Sequence, residues 1–203
     1  MRLAGRTSRS PLPLSITSAL PGGRCELVMD AEHLDRVING GIATAKVSVE
    51  IMTADLKAML VPRGNGGRQA DSIIALLTGL AAKGVEVRLL HAGVPSSAAL
   101  EELKRLSKAG LPKTLTLRRC PRLHAKAIVV DADRMYLGSA NVTGAGLGAK
   151  GATRRNFEIG VWTQDDAMID AVLDRFNALW EGFECETCGR RDVCPEPLEE
   201  PEF

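Results

Sequence analysis

The chain has 203 residues, of which 45% are hydrophobic and 25% charged, and its formal net charge is +1 at pH 7. This composition is typical of a globular domain and excludes disordered, collagen-like and coiled-coil chains. The length allows one domain with a sizeable core and a small appendage, and no apolar run approaches the ~18 residues that a membrane span needs.

The first half of the chain alternates helical and strand patterns. Apolar residues at helical spacing predict a helix over 30–38, and β-branched alternation predicts a strand over 45–53. Turn-forming residues predict a loop over 62–69. An apolar helix over 70–83 and a strand over 85–91 are predicted next.

The second half begins with an amphipathic helix and then becomes rich in short strands. The helix is predicted over 96–109 and ends before a glycine. Strand patterns follow at 114–119, 123–130, 134–138 and 156–162. A last apolar stripe at helical spacing predicts a helix over 165–180.

This order of elements predicts an α/β fold, in which a layered mixed β-sheet is flanked by helices. Residues 1–24 contain four Arg and no acid, with Ser and Pro between them, and are interpreted as a flexible arm; a transit peptide is the alternative. The main domain is predicted over 25–182, followed by a small Cys-rich acidic tail over 183–203. The chain contains no internal repeat, so any two-fold symmetry must come from a second chain.

The near-zero net charge hides an asymmetry between the body and the tail. Residues 181–203 contain eight acids and two bases, whereas residues 1–180 contain 24 bases and 17 acids. A basic body suggests a polyanionic ligand, although two merely solvated parts would show the same charges. The 3% of aromatic residues argues against a base-stacking platform.

Five cysteines are present, and three of them lie within ten residues of the tail. An odd number with this spacing is unlike a secreted disulfide framework, and no apolar signal segment precedes the domain. We therefore expect a cytoplasmic protein with reduced thiols.

The most informative segment is LHAKAIVVDADRMYLGSAN at 123–141. It contains His124 and Lys126, then an Asp, and then a Gly-Ser-x-Asn turn. Because side chains alternate on a strand, His124 and Lys126 are predicted to share one face. An imidazole, a cation and the hydrogen-bond donors Ser139 and Asn141 suit a phosphate site, although a buried strand with a satisfied His is the alternative.

This spacing resembles the HxKxxxxD(x)6GSxN signature of the phospholipase D superfamily at every position. Asn156-Phe157-Glu158 is similar to a second element of that family, and the GVEVRLL segment looks like part of its half-domain. The resemblance covers roughly residues 40–180 and implies the phospholipase D-like half-domain fold. Members of the superfamily cleave phospholipids, DNA, RNA and other phosphodiesters, generally without a metal ion. Residues 25–182 are therefore expected to form a catalytic domain.

The resemblance implies a role for each matching residue. His124 would attack phosphorus and form a covalent phosphohistidine, which water then hydrolyses. Lys126, Ser139 and Asn141 would hold the non-bridging oxygens and stabilise charge in the transition state. Glu158 would accept a hydrogen bond from the other ring nitrogen of His124 and fix its tautomer.

Asp131 belongs to the same motif and is counted among the candidate catalytic residues. Its odd offset from His124 turns it away from the phosphate on a strand. We therefore expect Asp131 to have a supporting role, such as anchoring the following turn, or a purely structural one.

In-line displacement also needs an acid on the side of the leaving oxygen, opposite the nucleophile. The candidates are His33, His91 and a second copy of His124. Since single-motif chains resemble the family's homodimeric nucleases, we expect a C2 homodimer that sets two His124 side chains face to face. His91 is predicted at the rim or in the core, and His33 at the surface.

Basic residues flank the motif on both sides. Residues 103–130 contain eight bases and no acid, and residues 134–157 contain four more bases, again without an acid. A nucleic-acid backbone suits such a rim, whereas a solvated helix face is the alternative for part of it. The candidate substrate-binding residues are Ser139, Arg122, Arg154, Arg155 and Asn156.

Three functions remain open on the sequence. A nuclease is favoured, since a phospholipase would present an exposed apolar or aromatic surface and none is evident. The third is a nucleic-acid-binding module of a larger assembly. The Gly-rich loop 144–151 is interpreted as a flexible insertion over the active site and not as a P-loop, because no Gly-Lys-Ser/Thr follows.

The tail cysteines Cys185, Cys188 and Cys194 are spaced like metal ligands, whereas no cofactor is expected for catalysis. A structural zinc ion or an iron–sulfur cluster would fit them, and three free or redox-active thiols are the alternative. Zinc needs a fourth ligand, for which Cys120, Cys25 or a His remains open. The tail is also similar to C-terminal extensions on phospholipase D-like proteins of bacterial phage-defence islands.

Overall fold

A computed structural model describes residues 17–20, 23–62 and 70–199, with side chains from Cys25 onward. Its strands are β1 (Thr17–Leu20), β2 (Gly23–Met29), β3 (Ser48–Thr53), β4 (Leu60–Pro62), β5 (Ala70–Ser72), β6 (Glu86–His91), β7 (Leu115–Arg119), β8 (Ala127–Val130), β9 (Arg134–Gly138) and β10 (Ile159–Thr163). Its α-helices are α1 (Ile73–Ala81), α2 (Ser97–Lys108) and α3 (Asp166–Trp180). A π-helical segment, Leu34–Asn39, and a 3₁₀ turn, Ile42–Thr44, precede β3.

Eight of the strands form one mixed sheet in the order β1-β2-β10-β9-β8-β3-β6-β7. The pairs β3–β6 and β6–β7 are parallel, and every other pair in this sheet is antiparallel. Each parallel pair is joined through a helix, because parallel neighbours need a crossover connection. The two remaining strands, β4 and β5, pair with each other.

The helices cover the sheet from two sides, as the period-2 alternation of its strands requires. Val49 and Ile51 of β3 point into the core formed with α1 and α2. Met52 of β3 lies on the opposite face of the sheet and packs against Phe176 and Trp180 of α3. This three-layer arrangement confirms the predicted α/β fold with a layered sheet flanked by helices.

Local capping explains where two helices begin. The Ser72 hydroxyl accepts a hydrogen bond from the Ala75 amide at 2.9 Å at the start of α1. The Asp165 carboxylate accepts one from the Met168 amide, also at 2.9 Å, at the start of α3. Each cap satisfies an amide that the helix itself leaves unpaired, which agrees with the predicted helix positions to within a few residues.

Several predicted boundaries differ from the structure. Residues 17–20 and 23–24, assigned to the flexible arm, lie in β1 and β2, because β2 gains a partner in β10 that is distant in sequence. The remainder of that arm lies outside the described residues. Residues 70–72 form a strand and not the first turn of a helix. Strand β8 begins at Ala127, since Pro121 and the turn after it precede the ladder.

The tail packs onto the domain without forming a helix or strand between residues 182 and 199. The Arg119 amide donates to the Glu199 carbonyl at 2.9 Å, and the two side chains form an ion pair at 3.4 Å. Leu198 packs against the apolar cluster beneath α3. These contacts hold the tail next to the end of β7.

Candidate active site

One end of the sheet collects the ends of four neighbouring strands. These are Thr53 at the end of β3, Ala127 at the start of β8, Gly138 at the end of β9 and Ile159 at the start of β10. Because these strands alternate in direction, their termini meet at one edge. Lys126, Ser139 and Glu158 each lie one residue outside that edge, so the fold itself brings the separate motif residues together.

His124 and Lys126 lie side by side in the extended segment that leads into β8. Lys126 Nζ lies 3.1 Å from Nε2 and 3.2 Å from Nδ1 of the imidazole, and it donates to the His124 carbonyl at 2.7 Å. The imidazole is exposed. The prediction that these two side chains share one side is confirmed, although they precede the strand.

Glu158 is held by two other site residues. The Ser139 hydroxyl donates to one carboxylate oxygen of Glu158, and Asn156 Nδ2 donates to the other at 2.9 Å. The Ser139 oxygen in turn accepts from the Ile159 amide at 3.1 Å. The expected hydrogen bond between Glu158 and His124 is not formed within the described residues, where the two carboxylate oxygens accept from Ser139 and Asn156 instead.

Asn141 is fixed by its carbonyl oxygen. Oδ1 accepts from the amides of Ala54 at 3.0 Å and Asp55 at 3.1 Å, just beyond the end of β3. Thr53 Oγ1 lies 3.3 Å from the same oxygen and accepts from the Val142 amide at 3.0 Å. This network sets the orientation of the amide, so that Nδ2, which has no partner among the described residues, is the donor left for a ligand.

Tyr136 explains the glycine of the Gly-Ser-x-Asn turn. A Cβ on Gly138 would lie 2.4 Å from the Tyr136 hydroxyl oxygen, and a Cβ on Gly160 would lie 2.3 Å from its ring. The same hydroxyl accepts a hydrogen bond from the Ala140 amide at 3.0 Å. Tyr136 therefore supports the turn from below, and only glycine leaves room for its ring.

His33 is fully buried beneath this turn, so its predicted surface position is wrong. Asp30, in the left-handed region at φ 47°, turns the chain inward before it. His33 Nδ1 donates to the Asp30 carbonyl at 3.0 Å, and Nε2 accepts from the Tyr136 hydroxyl at 3.1 Å. Burial lowers the pKa of His33 and raises the pKa of Tyr136 to about 12, so this pair stays neutral near pH 7.

Sequence reasoning missed Asp30 and Tyr136 as supports of the site. The side chain of Asp30 accepts from the Glu158 amide at 3.0 Å, and its amide donates to the Glu158 carbonyl at 3.0 Å. No local spacing links these positions. The one available signal is that Tyr136, the chain's single tyrosine, lies two residues before the Gly-Ser-x-Asn turn on a strand.

His91 is buried at the end of β6, in agreement with a core position. Its Nδ1 donates to the Gly93 carbonyl at 2.8 Å, and burial lowers its pKa. It does not line the cavity beside His124. His91 lies at the same end of the sheet as the motif residues, because it pairs with Thr53 in the register of β3 and β6, but its side chain is buried in the core.

Asp131 lies at the opposite end of β8 from His124. Its carboxylate accepts from the amides of Val47 at 2.7 Å, Lys46 at 3.0 Å and Ser48 at 3.1 Å, and pairs with Arg134 at 3.6 Å. Burial alone would raise the pKa of Asp131, but these amides and the guanidinium outweigh it, and the pKa lies below its usual value. The placement fits the anchoring role and separates Asp131 from the reacting groups.

The basic residues divide into structural and unpaired ones. Arg119 and Arg134 form ion pairs with Glu199 and with Asp131, respectively. Lys150 and Arg154 are exposed, Arg155 is partly exposed, and none of the three forms an ion pair within the described residues. Arg122 is exposed as well.

A cavity of about 230 Å³ lies beside His124, between α3 and the tail. Arg175 of α3 and Glu184 of the tail line it and form an ion pair at 2.6 Å. The guanidinium of Arg175 lowers the pKa of Glu184. Arg122 lines the same cavity, so this recess next to the imidazole is polar and charged on one side.

The Gly-rich loop 144–151 is packed and not a flexible insertion. Leu147 is fully buried, and Gly148 lies against the Asp30–Ala31 backbone with φ 72°. The Asn156 amide donates to the Ala145 carbonyl at 3.0 Å. The loop therefore supports the segment that carries Asn156 and Glu158.

An exposed apolar patch borders the site, contrary to the expectation that no such surface exists. It consists of Phe157 at 96%, Ile159 at 55%, Leu27 at 39% and Leu137 at 37% exposure. Leu27 and Leu137 flank Val161 on the two neighbouring strands, so they share one sheet face. We call these four residues the rim patch. Within the described residues, no helix is long and apolar enough to cross a membrane.

Comparison with known proteins places the fold. No curated protein matches the chain significantly. The structure of NucT from Helicobacter pylori is similar with a TM-score of 0.57 at 16% identity, covering 78% of this chain and 96% of that chain. A phospholipase D family member, Nuc from Salmonella typhimurium, is similar with a TM-score of 0.57 at 20% identity, covering 78% and 95%.

The family model described as cardiolipin synthase, PLD-like domain, matches residues 38–180. This stretch contributes all four strand ends that meet at the site, together with His124, Lys126, Ser139, Asn141 and Glu158. On this match and on the shared fold, the chain belongs to the phospholipase D-like domain family.

Proposed function

We propose that this protein is a nuclease, a phosphodiesterase that cleaves DNA or RNA through a phosphohistidine at His124 without needing a metal ion. The observation that supports this most is the meeting of an exposed imidazole, the Lys126 ammonium and the free amide donor of Asn141 at one edge of the sheet. An imidazole nucleophile surrounded by fixed donors is the arrangement that phosphoryl transfer needs.

The reaction follows from these positions. An unprotonated nitrogen of His124 forms a bond to phosphorus while the bond to the leaving oxygen breaks, and that oxygen takes a proton. Lys126 and Asn141 hold the non-bridging oxygens as negative charge develops on them. Water then attacks the phosphohistidine on the opposite side and releases the imidazole. Ser139 and Asn156 orient Glu158 through hydrogen bonds to its carboxylate, and they hold this negatively charged group at the rim of the site.

The proton for the leaving oxygen has to come from another group. His33 and His91 are buried, and the ring nitrogens of His33 are both engaged within the core. We therefore assign the acid to His124 of a second copy in a C2 dimer. The rim patch supports this arrangement, because it adjoins Glu158 and Ser139 and the described residues of one chain leave it exposed.

Nucleic acid is the substrate that the charges favour. Lys150, Arg154 and Arg155 belong to the segment that ends at Asn156 and carry no acidic partner among the described residues. Such cations contact phosphates and release counterions on binding. A phospholipase would instead use the rim patch against lipid, and a binding module would hold nucleic acid without turnover. A cytoplasmic location and a role in phage defence remain predictions from the sequence.

The activity test uses the purified chain with excess EDTA on labelled single- and double-stranded DNA, RNA and phosphatidylcholine vesicles. Cleavage of a nucleic acid that disappears in His124→Ala is the expected result. Turnover of lipid alone would replace the nuclease with a phospholipase. Salt-sensitive binding without turnover of any substrate would leave a binding module, and activity that requires added metal would contradict the metal-independent mechanism.

The dimer is tested by light scattering after size-exclusion chromatography. We expect a dimer for the native chain, and a monomer without activity for Ile159→Glu in the rim patch. The matched control is Val47→Glu, since Val47 is 67% exposed at the opposite end of the sheet. A native monomer with full activity would contradict the assignment of the acid to a second copy of His124.

A further inference from the structure

The structure brings a fourth cysteine to the three tail cysteines. Cys120 directly follows β7, whereas Cys185, Cys188 and Cys194 belong to the tail more than 60 residues later. All four line one cavity between the end of β7 and the tail. Cys25, the remaining cysteine, lies in β2 near the far edge of the sheet. Tertiary structure thus selects Cys120 from the candidates that the sequence left open.

The backbone around these thiols is held in turns. The Cys120 amide donates to the His91 carbonyl at 2.8 Å, and the Leu123 amide donates back to the Cys120 carbonyl at 2.9 Å. In the tail, the Cys185 amide donates to the Gly182 carbonyl at 2.8 Å, and the Cys188 amide to the Cys185 carbonyl at 3.3 Å. A Cys-x-x-Cys turn of this kind presents two thiols to one point.

The four thiols are gathered around one small, half-open cavity, although they come from two distant parts of the chain. Four thiols at one place can ionise together only if a cation compensates their charge, and a bound divalent metal would supply it.

The remaining lining suits an anionic metal–thiolate centre. Four thiolates and one divalent ion carry a net charge of −2, and Arg122, Arg190 and Arg191 line the same cavity. Arg191 donates to the Cys185 carbonyl at 3.4 Å. Cations and hydrogen bonds around a thiolate site stabilise the bound form, as the surroundings of metal ligands commonly do.

The cavity between the four cysteines is small. Its volume is about 30 Å³, which suits a single ion better than a cluster of several iron and sulfur atoms. Within the described residues, no group of three or more His, Cys, Asp or Glu side chains is already arranged around a metal position. We therefore expect metal binding to bring the thiols together and to order the tail locally.

We propose that Cys120, Cys185, Cys188 and Cys194 bind one structural Zn²⁺ ion as four thiolates. The ion fastens the tail to the segment that carries His124, because Cys120 lies four residues before His124 and in the turn that leads to it. The site adjoins the cavity beside His124, which Cys120, Cys185 and Cys188 also line, but the proposed metal binding does not depend on the nuclease assignment. Its zinc–sulfur distances on binding are expected to be about 2.3 Å.

Metal analysis of the purified full chain tests the site directly. After gel filtration in metal-free buffer, inductively coupled plasma mass spectrometry is expected to find one zinc and no iron per chain. Cys120→Ser, Cys185→Ser and Cys194→Ser should each lower zinc retention, and Cys25→Ser is the matched control that keeps it. Full zinc retention in Cys120→Ser would overturn Cys120 as the fourth ligand.

Two further results would overturn the proposal as a whole. Stoichiometric iron and sulfide with visible absorption would replace zinc by an iron–sulfur cluster. A metal-free chain whose cysteines are found by mass spectrometry in disulfides among these four would make the cluster a redox site. Both outcomes are read without any activity measurement, so they stay distinct from failure of the nuclease proposal.

Titration of the native chain with Co²⁺ gives a test that does not depend on whether the cysteine variants fold. Metal-free protein titrated with Co²⁺ should show the intense sulfur-to-cobalt and ligand-field bands of a tetrahedral thiolate site at one equivalent. Cys120→His should still bind Co²⁺, with ligand-field bands shifted to shorter wavelength because one thiolate is replaced. Unchanged bands in Cys120→His would contradict the proposal.

Discussion

The two ends of strand β8 belong to one sequence motif but have opposite characters. At one end, His124 is exposed, and among the described residues its imidazole has Lys126 as its hydrogen-bond partner. At the other end, Asp131 is 13% exposed and accepts hydrogen bonds from three consecutive backbone amides. A single catalytic signature therefore contains a reactive end and a structural end. Substitutions at the reactive end should lower activity, whereas substitutions at the structural end should lower stability.

The largest expected effect is on activity, at the reactive end. His124→Ala removes the nucleophile and should lower kcat by about four to six orders of magnitude. Because the side chain is exposed, the free energy of unfolding should change by less than about 0.5 kcal/mol. Single-turnover cleavage and urea denaturation measure the two quantities. Substantial residual turnover in His124→Ala would contradict the nucleophile assignment.

Asn141 is expected to have both a catalytic role, through its Nδ2 donor, and a structural role, through its Oδ1 acceptor. Asn141→Asp keeps the oxygen that accepts from Ala54 and Asp55 but removes the Nδ2 donor and adds negative charge near the phosphate. We expect a loss of about 10²- to 10³-fold in kcat, as for removal of one oxyanion donor. Stability should fall far less than in Asn141→Ala, which loses the acceptor as well. Equal activity of Asn141→Asp and the native enzyme would remove Asn141 from the reaction.

At the structural end, Asp131→Asn should lower stability and leave the chemistry intact. Losing charge-assisted hydrogen bonds to three backbone amides is expected to cost about 1.5–3 kcal/mol at pH 7, with kcat unchanged at 25 °C. Since the folded-state pKa of Asp131 is depressed, its contribution is present above the unfolded pKa and is lost as the pH falls through the folded one. The stability gap between native and variant chains should therefore close in acid. A kcat deficit in folded Asp131→Asn would place Asp131 in the catalytic machinery.

A substitution at Tyr136 tests whether the buried residues beneath the Gly-Ser-x-Asn turn support activity. Tyr136→Phe leaves the Ala140 amide and His33 Nε2 without their buried partner, at a cost of about 1–3 kcal/mol. Because Ala140 separates Ser139 from Asn141, kcat should fall modestly while KM changes little. A matched comparison is Trp162→Phe on β10, whose side chain forms no hydrogen bond to the turn among the residues that the structure describes. An unaltered kcat in Tyr136→Phe would limit this pair to a stability role.

The smallest expected effect concerns the unpaired cations. Arg154→Ala should weaken nucleic-acid binding uniformly across sequences. It should also reduce the slope of log affinity against log salt concentration by about one, because one phosphate contact is lost. Lys83→Ala is the control, since Lys83 is exposed after α1, near the start of β6 and away from the site. Equal salt slopes for both variants would remove Arg154 from the binding surface.

The sequence alone determined the chemistry-bearing positions and much of the local structure. The motif from His124 to Asn141 identified the family, and the apolar periodicities predicted α1, α2, α3 and most strands. These features depend on residues a few positions apart, so they are visible without a fold. The shared side of His124 and Lys126 and the offset of Asp131 followed from the same local geometry.

Contacts between residues distant in sequence were decided only by the tertiary structure. Strand order put Tyr136 and His33 under the Gly-Ser-x-Asn turn, although 103 residues separate them. The same order places Glu158 beside Ser139 and brings Cys120 next to the tail cysteines. It also leaves the rim patch exposed among the described residues. Local patterns specify backbone conformation and the face of an element, but which faces meet depends on how the whole sheet is ordered, because burial and hydrogen bonding are satisfied jointly across all its strands.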